Sequence, residues 1–169
     1  MKELNLTKFN ELIIITKSLS TYENEIDWKI NLLSKLDNKS IGDIEDLSIL
    51  DINNKVSLFS SELQNILLES NDLPKELIIN DIKYISYVDE FFISAGEFKR
   101  ILPIFEKDNY IIELANIIWR KEIDGKKDKN YEDNKELFSE YMGVKYIAPY
   151  IKITTNEIKN YLTENDNIR

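Results

Sequence analysis

Neither cysteine nor histidine occurs among the 169 residues of this chain. The first absence excludes disulfides, thiol catalysis and Cys-based zinc sites. The second removes the usual general base and the commonest transition-metal ligand. The four glycines are scattered at positions 42, 96, 125 and 143, so no glycine-rich loop is present to cradle a phosphate. Arginine occurs three times, and the formal net charge is −9. Generic nucleic-acid binding needs clustered cations that displace counterions from phosphates, and is therefore not expected. The longest apolar run, 12–15, is four residues, against the ~20 that a membrane-spanning helix needs. The first ten residues, MKELNLTKFN, lack the apolar core of a secretory signal. A soluble, intracellular, acidic protein is the expectation, with no membrane partner. Alanine is also rare, at three, against 27 Ile, 19 Lys and 18 Asn. That skew follows AT-rich coding, so Ile and Asn carry less structural information here than usual.

Hydrophobic residues make up 43% and charged residues 31%, a balance that builds a core rather than a disordered chain. The length suits one domain over 1–169; the alternative is two helical lobes, 1–70 and 90–165, joined at a hairpin. Helical spacing appears first in Phe9, Leu12, Ile13 and Thr16, although Ile13-Ile14-Ile15 also permits a strand. A second helix is expected over 23–36, on Ile26, Ile30, Leu33 and Leu36. Ser40 with Asp43 signals a cap for a short third helix. A fourth, over 50–69, carries Ile52, Val56, Phe59, Leu63, Ile66 and Leu67. Leu77-Ile78-Ile79 and Ile82 to Tyr87 flank Asn80-Asp81 and predict a β-hairpin. Ser94 with Glu97 resembles a capping box before Phe98, Ile101, Leu102 and Phe105, with Pro103 ending or kinking that helix. Further helices are expected over 109–122, 133–142 and 148–162, with a polar loop over 123–131. The fold class that follows is mainly α, with six to eight helices and one small central β-hairpin at about 77–87.

No assembled active site is legible. Paired acids such as Glu23/Glu25 and Asp43/Glu45/Asp46 are expected by chance among 31 acidic residues. Oxygen ligands recur in 124–132, but without the alternating spacing of a calcium loop and with three Lys among them. No metal, cofactor or catalytic residue is therefore predicted, and the chain reads as non-enzymatic. The aromatic residues say more. Tyr84, Tyr87, Phe91 and Phe92 gather about the hairpin and are candidate anchors for a protein partner, where aromatics concentrate binding energy. The locally basic stretch with Lys126, Lys127 and Tyr131 is the second candidate contact.

The order of segments resembles a group of small proteins from tailed bacteriophages, including the crAss-like phages. The resemblance rests on the opening Leu6-Thr7-Lys8-Phe9-Asn10, on 41–47 (IGDIEDL), on the hairpin 78–84 and on Ser94-Ala95-Gly96-Glu97-Phe98. It continues through Ile117-Ile118-Trp119-Arg120, the polar loop ending at Tyr131, and Leu137-Phe138 with Tyr141-Met142. It implies a virion component or tail-assembly chaperone in the virion or host cytoplasm, present in multiple copies. Portal, tail or capsid proteins are the implied partners, and no catalytic residue carries over. An acidic inhibitor, such as an immunity protein, antitoxin or anti-defence protein that blocks a basic site, is the alternative reading of the same charge.

Overall fold

A computed structural model describes residues 4–69, 73–86, 95–130 and 132–166. Asn5 starts α1 (Leu6–Lys17) by accepting a bond from the Lys8 amide at 3.0 Å, one of the donors that a helix start leaves orphaned. α1 buries Leu6, Phe9 and Leu12, so the apolar stripe outweighs the strand preference of the three consecutive Ile. Asn24 caps α2 (Glu25–Asp37), which stops at Asn38 in the left-handed conformation common past helix ends. The Trp28 indole N–H donates to the Ile15 carbonyl at 2.7 Å and ties α2 to the last turn of α1. Ser40 and Asp43 form the expected capping box on α3 (Ile41–Glu45). Ser48 accepts from the Asp51 amide at 3.1 Å where α4 (Ile49–Glu69) begins.

The predicted hairpin forms from β1 (Glu76–Ile79) and β2 (Ile82–Ile85), with Leu77 opposite Tyr84 and Ile79 opposite Ile82. Asn80 and Asp81 hold φ of 50° and 61°, the left-handed pair that a type I′ turn requires. α5 (Ala95–Ile101) gives way at Pro103 to a 3-10 turn over Leu102–Ile104, as the missing proline donor dictates. α6 (Tyr110–Ile118) ends before the 122 expected of it. Residues 120–123 instead form β3 (Arg120–Ile123), which pairs with β2 and turns back into β4 (Lys126–Lys127). The polar loop expected over 123–131 is thus corrected: its first half is a second hairpin. α7 (Lys135–Tyr141), a 3-10 turn over Val144–Tyr146 and α8 (Ala148–Asp166) complete the chain. The architecture is mainly helical, with a four-stranded antiparallel sheet in the order β1-β2-β3-β4.

Two apolar clusters hold these elements. One packs Leu77, Ile79 and Tyr84 of the sheet against α5, α6, α7 and α8, around Ile111, Ile118, Trp119, Phe138 and Tyr150. The other packs Trp28, Leu32 and Leu33 against Ile44, Ile52, Val56 and Phe59. α1 feeds both, Leu6 and Phe9 entering the first and Leu12 the second. Among the described residues, no helix is long and apolar enough to cross a membrane.

Candidate interaction surface

Of the seven residues expected to contact a partner, three lie in the described segments. Tyr84 is buried, its ring packed edge-on against Phe138 with centroids 5.0 Å apart. The register explains this, because the residue opposite Leu77 shares its inward face. Burial, then the nearby Glu132 charge, pushes the Tyr84 hydroxyl above its ordinary pKa. Tyr84 is therefore core, not an exposed anchor, which corrects the expectation for this residue. Lys126 is exposed at the start of β4. Lys127 is half-buried and paired with Glu97 of α5. Tyr87, Phe91, Phe92 and Tyr131 lie outside the described residues. The two candidate contacts, separate in the chain, meet in one sheet through the β2–β3 pairing.

Beside that pairing lies a buried polar network which residue spacing did not reveal. The Glu97 carboxylate accepts from Lys127, while Ser94, its expected capping partner, lies outside the described residues. Arg120 is buried; its Nε donates to the Ile117 carbonyl at 3.2 Å and its Nη1 to the Asn130 carbonyl at 3.0 Å. Burial, followed by Arg100, lowers its pKa to about 10. The buried Tyr150 hydroxyl donates to the Pro74 carbonyl at 2.6 Å, and burial pushes its pKa up to about 12. None of these shifts brings Arg120 or Tyr150 near neutral pH, where proton transfer is effective. These contacts tie α5 to β4 and α8 to the segment that leads into β1. On the exposed part, Lys83 bridges Glu76 and Glu122 at 2.8 Å each, and those two bonds raise its pKa.

A cavity of about 230 Å³ opens between the end of α1 and the segment before α6, lined by Ile13, Ile14, Lys17, Glu106, Lys107 and Tyr110. It is smaller than the ~300–1,000 Å³ of most ligand pockets. The Lys17 ammonium already sits 4.4 Å over the Tyr110 ring. Among the described residues, no group of three acidic side chains is placed to hold a metal ion.

Exposed apolar side chains occur at several places on the described surface, and two of the most exposed are neighbours in the chain. Ile49 and Leu50, adjacent at the start of α4, are each 69% exposed, and Ile41 at the start of α3 is 47% exposed. Asp43, Glu45, Asp46 and Asp51 surround them in the chain, and all four are exposed. Hydrogen bonds from the Ser40 hydroxyl and amide hold the Asp43 carboxyl below its ordinary pKa. This corner combines exposed apolar residues with an excess of acids, although Lys39 acts on Asp43 and Lys29 reaches the Asn53 side chain. No protein-family model, no curated protein and no solved structure matches the chain.

Proposed function

We propose that this chain is a non-enzymatic protein of a tailed bacteriophage, a virion component or a tail or capsid assembly protein. In this reading it works in multiple copies by contact with portal, tail or capsid proteins. The observation that carries the contact reading is the adjacent exposed pair Ile49 and Leu50 at the start of α4, among several acids. Contiguous exposed apolar surface rimmed by polar residues marks association sites. The phage assignment rests on the resemblance of its segments.

The acidic rim and the charge of −9 favour a second reading, an inhibitor that occupies a basic site. Salt separates the two. Apolar burial is insensitive to screening, whereas charge steering fades beyond a Debye length of about 8 Å at physiological ionic strength. The tagged chain is recovered from infected cells at low and at high salt. Portal, tail or capsid proteins retained at both is the expected outcome. Capture of one basic host enzyme, lost at high salt, overturns the first reading in favour of the second.

A further inference from the structure

We infer that the corner where α3 meets α4 is the contact surface, and that its occupant is the apolar face of a helix on a protein partner, flanked by Lys or Arg side chains. The inference rests on the protein-contact reading above and gives it a location and a complementary chemistry.

The apolar side begins with a stripe that outruns its core. Along α4, Ile52, Val56 and Phe59 are buried at helical spacing. Ile49 lies three residues before Ile52 and so continues the same face, yet it is exposed. α3 repeats the pattern: Ile44 is fully buried, and Ile41, three residues earlier, is exposed. Burying such a stripe within the chain would have stabilised the fold. Its first residues instead extend past the cluster that buries the rest, with Leu50 beside them. Ile78 on β1 and Leu58 on α4 are comparably exposed. Ile78, however, stands opposite Lys83, which Glu76 and Glu122 already engage. The positions three and four residues from Leu58 are the polar Asn54, Lys55, Ser61 and Glu62. A lone exposed aliphatic needs no partner.

Charge then selects the occupant. From Ile41 to Asp51 there are four acids and no cation, while Lys39 acts on Asp43 and Lys29, paired with Glu25, reaches Asn53. The cation on the following turn of α4, Lys55, is tied to Asp37 at 2.8 Å. Among the described residues, no ion pair neutralises Glu45 or Asp46. A second copy would set acid against acid, and phosphate backbones or anionic lipids are repelled for the same reason. A helix with an apolar face and basic flanks satisfies both halves of the surface.

The probe is a synthetic amphipathic helix of about 15 residues, Leu on one face and Lys on its flanks. It is titrated into the full-length 15N-labelled chain. Amide shifts confined to 39–53 are expected. Affinity should fall about tenfold for Ile49→Ser/Leu50→Ser, but only a few-fold for Glu45→Lys/Asp46→Lys and between about 50 and about 300 mM salt, because the apolar contact carries the binding and the charges tune it. The same peptide with Glu for Lys should not bind. Equal binding of the Glu peptide, or shifts centred elsewhere, overturns the inference, as does a dimer abolished by Ile49→Ser/Leu50→Ser. The same pair of substitutions, checked for an unchanged Tm, is then carried into the infected-cell pull-down beside Ile78→Ser. Loss of phage structural proteins with the first variant alone supports the corner. Retention by both variants overturns the corner and leaves the contact reading standing. Capture of nothing by the unaltered chain removes both.

Discussion

The Glu97–Lys127 pair sits largely out of water, with side chains 10% and 17% exposed. Its Coulomb attraction mainly offsets desolvation, so the pair adds little net stability, but removing one partner strands a charge. Glu97→Gln should therefore destabilise the protein by about 3 kcal/mol in urea titrations. Glu97→Met/Lys127→Met should recover most of that loss, and a double variant no better than Glu97→Gln would show that the pair is not isolated from water. Tyr150 gives a pH-dependent counterpart. Its folded pKa of about 12 lies above the ordinary 10.0 because burial disfavours the phenolate. The folded state thus keeps a proton that the unfolded state releases first. The resulting stability is complete below pH 10 and is lost as pH rises towards 12. The stability gap between the parent and Tyr150→Phe should shrink over that window. A gap constant from pH 9 upwards would place the hydroxyl in water.

At the scale of elements, the two hairpins depend on matching turns with different chemistry. Asp124 and Gly125 hold φ of 51° and 73°, and an alanine at 125 would bring a Cβ into a conformation that L-residues disfavour. Gly125→Ala should cost about 1–2 kcal/mol, read as a lowered urea midpoint; an unchanged midpoint would show that the turn is not held in this conformation. The first hairpin was legible because Asn80-Asp81 separates apolar and aromatic runs that alternate. The second was not, although Asp-Gly is a stronger turn signal. Its strands are Arg-Lys-Glu-Ile and Lys-Lys, residues that score as helix or loop, and only pairing with β2 makes them strands. The same override ended α6 at Ile118, where no glycine or proline marks a stop. Tyr84's burial followed from the register, so its inward side could have been read from Leu77. The α3–α4 corner could not: Ile49 sits on a core stripe, and its exposure depends on how far the neighbouring cluster reaches.

At the scale of the molecule, the question is whether the two apolar clusters melt together. α1 links them covalently and by packing, because Leu6, Phe9 and Leu12 lie on one helix of 12 residues. Leu4 and Leu63 pack against both clusters. Losing one cluster would strip α1 of half its buried face, and an isolated helix of that length is marginal in water. One cooperative transition is therefore expected, as for most domains under about 150 residues and slightly beyond. The chain carries its own reporters. It has two tryptophans, Trp28 in the cluster of α2 to α4 and Trp119 in the cluster of the sheet. Trp119→Phe leaves fluorescence reporting the first, and Trp28→Phe leaves it reporting the second. Each substitution removes an indole bond, to Ile15 or to Tyr146, and should cost about 1–2 kcal/mol. Within each variant, tryptophan fluorescence and far-ultraviolet circular dichroism should trace the same urea transition. A Trp28 midpoint separated from the circular dichroism curve would mean that the helices of 25–63 unfold as a unit of their own.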